Sequence, residues 1–251
     1  MGTFKTFLLF VLNALKPVSL FVATTLLMTL AIIFMGASVW GATINVTPNA
    51  PDVLNGNDCS CSLREAIINI NDGMTTYADC APIGSYGNDD TIIIPSGTYT
   101  ISTTSYNIAN NVSIIGAGAG ITIIDGNWLD RVFVVGNYSV FISDITITRG
   151  GKFQNNGGGG GAIYNSGTLT ITNSTVSDSA FHGDNTCGGG IYNNGTLTIT
   201  NSTITENWAS GWWGCGGGGI FNNTDSILVV TNSTISNNKA DTKLAAVARS
   251  M

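Results

Sequence analysis

The sequence predicts an all-β fold, a right-handed parallel β-helix, from a repeat of about 28 residues and from the alternation of polar and apolar residues inside each repeat. The isoleucines Ile163, Ile191 and Ile220 mark three successive units and are spaced by 28 and 29 residues. The units read GGAIYNSGTLTITNSTVSDSA (160–180), GGGIYNNGTLTITNSTITENWA (188–209) and GGGIFNNTDSILVVTNSTISNNKA (217–240). A constant period of this size indicates a stack of similar structural units.

Other repeat architectures fit this unit less well. Helical repeats need stretches rich in Ala, Leu, Glu and Lys, propeller blades need about 40 residues, and leucine-rich repeats need their own Leu and Asn spacing. The segment TLTIT instead alternates with period two, so that one face is buried and the other is wet. Abundant glycine (32 residues), rare proline (5) and 10% charged residues agree with short strands joined by tight turns.

Stacking of equivalent residues predicts continuous columns of side chains, because each coil of a parallel β-helix lies about 4.8 Å from the next. Three inward columns are expected: Leu169, Leu197 and Leu228, continued by Val140 and Val112; Ile171, Ile199 and Val230; and Val176, Ile204 and Ile235, continued by Ile147. The repeat weakens upstream but persists, which gives five or six coils over residues 91–240.

Two further positions recur at the turns. Asn173, Asn201 and Asn232 share one position, where Asp144 stands in the preceding coil, and we expect their amides to hydrogen-bond along the column. The glycines at 158–161, 188–190 and 216–219 predict a corner whose backbone angles only glycine tolerates.

A short helix is predicted to cover the N-terminal end of the stack, since a solenoid exposes a sheet edge there. Ser62 followed by Glu65 matches the capping box of a helix start. The apolar residues of the next turns recur at helical spacing and form one face: Leu63, Ala66, Ile67 and Ile70.

Residues 61–66 read CSLREA, which resembles the signature of the CSLREA-domain proteins, exported bacterial proteins in which this motif precedes a β-helix. The units GGAIYN and GGGIYN also resemble the GGAI repeats of polymorphic outer-membrane proteins, with Phe153 to Asn156 as their F-x-x-N companion. The resemblance covers residues 43–240. It implies a solenoid of the pectin-lyase-like type in a secreted or cell-surface protein.

The N-terminus predicts export. An apolar stretch from Ser19 to Trp40 follows Lys5 and Lys16 and ends in small residues, as a signal peptide does. It is also long enough to serve as an uncleaved membrane anchor. The predicted organisation is therefore a signal peptide or anchor (1–42), a cap with the CSLREA motif (43–90), β-helix coils (91–240) and an irregular tail (241–251). The tail leaves open the alternative of a truncated product without independent function.

The five cysteines suit disulfides in an exported chain better than a metal site, because no Cys-x-x-Cys pair occurs and His182 is the single histidine. Cys187 and Cys215 both precede the glycine corner one coil apart, so a disulfide between them is expected. Cys80 is expected to pair with Cys61 or Cys59.

The charged residues of the coils are the candidates for catalytic chemistry. The basic residues of the coils before Lys239 are Arg131, Arg149 and Lys152, with Asp125, Asp130 and Asp144 near them in sequence. They form no repeated constellation of the kind that a lyase or glycosidase needs, so we expect turn-forming and solvated roles, no catalytic residue, and no metal or cofactor. A polysaccharide lyase or hydrolase of the same fold is the alternative.

The expected function is that of a non-catalytic surface scaffold or adhesin-like protein which binds through its coil loops. Trp208, Trp212 and Trp213 cluster in one such loop and are the candidate ligand-binding residues. Surface glycans or proteins are the expected partners. Nucleic acid is not expected, since the net charge is −6 without a basic patch. Contact with a membrane is expected only through the N-terminal segment, and the sequence leaves the oligomeric state open.

Overall fold

A computed structural model describes residues 41–151, 158–183, 186–211 and 216–242. In this part of the chain the protein is a parallel β-solenoid of about five turns. Its short strands form five parallel sheets, and each sheet takes one strand from each coil it crosses. This confirms the predicted all-β stack.

The largest sheet has seven strands in the order of the chain: β1 (Thr43–Asn45), β2 (Thr91–Ile94), β5 (Val112–Gly116), β8 (Ser139–Ser143), β12 (Thr168–Thr172), β17 (Thr196–Thr200) and β21 (Ile227–Thr231). The six-stranded sheet contains β3 (Gly97–Thr100), β6 (Thr122–Asp125), β9 (Thr146–Thr148), β13 (Thr175–Ser177), β18 (Thr203–Thr205) and β22 (Thr234–Ser236).

The five-stranded sheet contains β4 (Tyr106–Ile108), β7 (Phe133–Val135), β11 (Ile163–Asn165), β16 (Ile191–Asn193) and β20 (Ile220–Asn222). A three-stranded sheet contains β14 (Ala180–His182), β19 (Trp208–Gly211) and β23 (Lys239–Thr242). A two-stranded sheet contains β10 (Gly158–Gly159) and β15 (Thr186–Cys187). These two small sheets add further faces to the later coils.

All three predicted columns are present in the strand register. Leu169 lies opposite Leu197, which lies opposite Leu228, and the two other columns pair in the same way. The second column is longer than predicted and crosses all seven strands, through Ile44, Ile92, Ile114, Ile142, Ile171, Ile199 and Val230. Its first six members are completely buried. This column is the central core of the solenoid.

The last two coil strands bury their inward residues less completely. Val230 is 39% exposed and Ile235 is 49% exposed, although both stand in register with buried residues of the preceding coil. In the described part of the chain, β21 and β22 each have a neighbouring strand on one side only.

The solenoid begins earlier than the sequence predicted. Strand β1 lies inside the segment assigned to the cap, yet it pairs with β2 in parallel register, Ile44 opposite Ile92. Strand β1 was difficult to predict from the sequence, because it is three residues long and Ile44 lies 48 residues before its partner Ile92. Residues 43–90 therefore contribute a strand of the largest sheet as well as the cap.

The predicted helix is present as α1 (Leu63–Asp72). Its apolar face is buried, with Leu63, Ala66, Ile67 and Ile70 at most 3% exposed. It ends at Gly73, whose left-handed conformation (φ 63°) closes the helix in the usual way. A short 3₁₀ helix, Ala78–Cys80, follows.

The glycine corner also forms as predicted. Gly160, Gly188 and Gly217 have φ values of 78°, 70° and 84°, in the region that side chains disfavour. A Cβ atom on Gly160 would lie 2.1 Å from the Ile163 carbonyl oxygen. The corner therefore needs glycine for its backbone angles and for the close approach of the chain.

Candidate functional site

Each residue of the CSLREA segment has a structural role in the cap. Ser62 and Glu65 form the complete capping box: the Glu65 amide donates to Ser62 Oγ at 3.2 Å, and the Ser62 amide donates to Glu65 Oε2 at 3.0 Å. Leu63 and Ala66 are buried in the core. Cys61 forms a disulfide with Cys80, with the Cα atoms 4.8 Å apart. Of the two partners predicted for Cys80, the structure selects Cys61, and Cys59 is an exposed free thiol.

The remaining residue of the segment, Arg64, ties the cap to the first coil. It pairs with Asp52 at 2.8 Å and donates to the Thr104 carbonyl oxygen at 2.6 Å. Its guanidinium lies 4.8 Å from the centre of the Tyr106 ring. Burial and the Asp52 carboxylate raise the pKa of Tyr106, so its hydroxyl stays protonated and donates to Asp52 at 3.2 Å. Sequence reasoning missed Asp52, which lies outside the motif.

The predicted asparagine column is present, but its main cause is the backbone. Asp144, Asn173, Asn201 and Asn232 have φ values of 60°, 49°, 49° and 47°, a region that Asn and Asp adopt more readily than other side chains. The expected amide hydrogen bonds are long: Asn201 Nδ2 to Asn173 Oδ1 measures 3.4 Å. Asn or Asp stands at this position because the turn needs a positive φ, and the side-chain hydrogen bonds along the column are weak.

A second column of asparagine side chains has shorter hydrogen bonds and was not predicted. Asn165 and Asn193 are completely buried, and Asn165 Nδ2 donates to Asn193 Oδ1 at 2.7 Å. Asn193 in turn donates to Asn222 at 2.6 Å. These residues close the repeated motifs AIYN, GIYN and GIFN, so the repeat itself carried the signal. Their side chains satisfy backbone groups at the corner before the largest sheet.

Trp208 lies on the outer face of the three-stranded sheet and is 37% exposed. Its Nε1 donates to Asp241 Oδ2 at 3.1 Å, and Lys239 Nζ lies 5.3 Å from the ring centre. The His182 ring meets it edge-on at 4.2 Å, and burial lowers the pKa of His182. The indole therefore already has several contacts within the protein. The two other candidate binding residues, Trp212 and Trp213, lie outside the described residues.

The charged candidates of the coils that the structure describes are engaged in structural contacts. Arg149 forms a two-point pair with Asp125, whose side chain is 2% exposed. Arg131 donates to the Gly159 carbonyl oxygen at 2.8 Å and lies over the Phe181 ring, and burial lowers its pKa. Asp130 accepts from the Arg131 amide at 2.9 Å. Lys152 lies outside the described residues. In the described ranges, no cluster of three or more His, Cys, Asp or Glu side chains is arranged for a metal ion.

A groove of about 600 Å³ runs over the outer face of the seven-stranded sheet. One row of its lining follows an outward position across three successive coils, through Asn111, Ser139 and Thr168, and Asp89 lines the groove from the loop before β2. Ser139 lies opposite Thr168 in the strand register, and its amide donates to Asn111 Oδ1 at 2.9 Å.

A second row of the groove consists of Ser113, Phe141 and Thr170, which are stacked in register and partly exposed. Phe141 is the aromatic side chain of the groove floor. Among the described residues that line the groove there is no lysine or arginine, and Asp89 carries the negative charge. Sequence reasoning missed this surface, because alternation showed which residues face outward but not that the loop before β2 makes a wall beside them.

Asp90, next to Asp89, points inward and is completely buried. Its Oδ1 accepts hydrogen bonds from the Ala42 amide at 2.8 Å and the Gly87 amide at 3.0 Å, while Oδ2 has no partner. Burial is the main cause that raises the pKa of Asp90, and the nearby Asp89 charge adds to it. Asp90 thus anchors the start of the first strand at the cost of a buried carboxyl group.

A comparison of the chain with protein-family models, characterised proteins and solved structures finds no match. The resemblance to CSLREA-domain proteins therefore stays a prediction carried by residues 61–66. Within the described ranges, no helix is long and apolar enough to cross a membrane. Residues 1–40 of the predicted leader (1–42) lie outside these ranges, as do the F-x-x-N segment 153–156 and residues 243–251. The Cys187–Cys215 disulfide also stays a prediction, since Cys215 lies outside them.

Proposed function

We propose that the protein is an exported, non-catalytic scaffold with an adhesin-like role, secreted or held at the cell surface. The observation that carries this proposal is the isoleucine column from Ile44 to Val230, which is covered at one end by helix α1. Coils locked in a single register form a stiff support, and a stiff support presents its outer faces in fixed positions. Such geometry suits display better than it suits a site that must close on a substrate.

Export is supported by two independent features. The apolar stretch from Ser19 to Trp40 has the order of parts found in signal peptides. The Cys61–Cys80 disulfide ties the cap to the segment after it, and such bonds persist in oxidising compartments. If the leader is retained, it attaches the scaffold to the membrane, and if it is removed after Ala42 the scaffold is released.

The non-catalytic part of the proposal is supported by the contacts of the charged side chains. A general acid or base needs a side chain that reaches the substrate. Arg149 is paired with Asp125, and Arg131 is held between a carbonyl oxygen and the Phe181 ring. These groups hold turns of the coil together. The proposed partners are glycans or proteins of a surface, bound on the outside of the coils.

Fractionation of bacterial cells that express the full chain tests export. We expect the protein outside the cytoplasm, either with a new N-terminus near Thr43 by mass spectrometry or as an intact chain in the membrane fraction. Cys61 and Cys80 should resist alkylation until a reductant is added. A matched chain that lacks residues 1–42 should stay in the cytoplasm. Recovery of the full chain in the cytoplasm with both thiols reactive would contradict the proposal.

Attachment and catalysis are measured separately. Cells that display the chain should adhere to glycan-coated or protein-coated surfaces more than cells that carry an empty vector. Incubation of the purified chain with polysaccharides should release no reducing ends and no unsaturated products. Depolymerisation of any of them would contradict the non-catalytic role.

A further inference from the structure

The lining of the groove on the seven-stranded sheet repeats once per coil, and this spacing favours an extended ligand. Asn111, Ser139 and Thr168 present one polar side chain per coil, and Asp89 lines the same groove from the loop before β2. Neighbouring parallel strands lie about 4.8 Å apart, so these three side chains extend over about 10 Å. This step is close to the advance per sugar ring of an extended β-linked polysaccharide. A chain laid along the solenoid axis would therefore place about one sugar ring beside each successive coil.

The side chains of the groove also match the chemistry of a sugar. Ser113, Ser139, Thr168 and Thr170 carry hydroxyl groups, which both donate and accept hydrogen bonds, as sugar hydroxyl groups do. Phe141 supplies an apolar ring in the middle of the second row. Aromatic rings of this kind pack against the C–H faces of sugar rings through apolar contact.

Charge decides between neutral and acidic polysaccharides. Asp89 is negative, the lining residues that the structure describes include no lysine or arginine, and the chain as a whole has a net charge of −6. A carboxylated polysaccharide would therefore meet repulsion without a compensating ion pair. An uncharged glycan would meet none.

We propose that this groove binds an extended, uncharged β-linked glycan parallel to the solenoid axis, with Phe141 as the central contact. The inference deepens the proposed function, because it names the ligand class and the surface of a scaffold that is itself a proposal. It places the binding surface on the seven-stranded sheet and not on the three-stranded sheet that contains Trp208.

Calorimetric titration of the full chain tests the inference. The probes are hexasaccharides of β-1,4-linked glucose, xylose and N-acetylglucosamine, with polygalacturonate as the acidic comparison. We expect at least one neutral hexasaccharide to bind and polygalacturonate not to bind. Phe141→Ala should weaken binding at least tenfold, and Thr170→Val should weaken it severalfold. Circular dichroism shows whether each variant keeps the fold.

Thr198→Val is the matched control. Thr198 stands in the same outward column one coil further on and does not line the groove, so the substitution should leave affinity unchanged. Trp208→Ala should also leave it unchanged. Equal losses for Thr170→Val and Thr198→Val, an unaffected Phe141→Ala variant, or a preference for polygalacturonate would each overturn the inference.

The experiments give one result if the groove inference is wrong and a different result if the proposed scaffold role is wrong. Absence of binding to every neutral hexasaccharide overturns the groove inference and leaves the fractionation result as it stands. Binding followed by shortening of the hexasaccharide supports the location of the groove and contradicts the non-catalytic role. Binding that only Trp208→Ala removes transfers the ligand to the three-stranded sheet and overturns the groove inference alone.

Discussion

Replacement of Asp52 by alanine should loosen the cap from the first coil. The Asp52 carboxylate accepts hydrogen bonds from Arg64, from the Ser102 amide at 2.8 Å and from the Tyr106 hydroxyl at 3.2 Å. The side chains of Arg64 and Asp52 are 11% and 2% exposed, so the variant leaves a largely buried cation without its partner. Breaking such a pair from one side costs about 3–5 kcal/mol. Because Arg64 keeps its bond to Thr104, we expect a loss of about 3 kcal/mol.

Urea unfolding followed by circular dichroism measures this free energy. The double variant Asp52→Ala/Arg64→Ala should lose less than the sum of the single variants, since the partnerless charge is also removed. Asp72→Ala changes an exposed carboxylate of the same cap and should stay within about 0.5 kcal/mol of the unchanged protein. An Asp52→Ala variant as stable as this control, or strict additivity in the double variant, would refute the reasoning.

Three further predictions concern the coils. Ile199→Ala, at a completely buried position, should lower the free energy of unfolding by about 2–5 kcal/mol, while Thr198→Ala on the outer face should change it by about 0.5 kcal/mol or less. Gly188→Ala should cost at least about 1–2 kcal/mol, because φ is 70° and the new Cβ would lie 2.4 Å from the Ile191 carbonyl oxygen. Asp90 has a raised pKa, so the folded state holds this proton more tightly than the unfolded state does. Its contribution to stability is greatest below its ordinary pKa of 3.8 and is lost as pH rises towards the raised value. Asp90→Asn should therefore gain stability relative to the unchanged protein as pH rises above 3.8.

The same unfolding measurements show where these predictions fail. Comparable losses at positions 198 and 199 would contradict the assignment of inner and outer faces. Gly120→Ala is the control for the glycine corner, because a Cβ atom there meets nothing within 4 Å. If Gly188→Ala is no more harmful than this control, the corner does not require glycine. A constant difference between the Asp90→Asn variant and the unchanged protein from pH 3 to pH 7 would mean that the pKa of Asp90 is not raised in the folded state.

The candidate sites show which contacts a short sequence pattern can predict. The capping box of Ser62 and Glu65 was predictable because both partners lie within one helical turn, and the geometry of that turn is always the same. The sequence could not show whether Cys61 or Cys59 pairs with Cys80, because the two cysteines are only two residues apart. Which of them points towards Cys80 depends on how the chain turns between them. The groove wall at Asp89 depends in the same way on where a loop crosses a sheet.

The period of the repeat and the alternation inside TLTIT determined the solenoid, its columns and the glycine corner from sequence alone. These features follow from backbone geometry that every coil repeats, so a few residues are enough to reveal them. Only the tertiary structure decided that β1 adds a strand to the largest sheet, that Asp52 receives Arg64, and that Phe141 lies in a groove beside Asp89. Each of these contacts joins residues more than ten positions apart, at least one of which lies before the repeat begins, so no constant spacing connects sequence to distance in space.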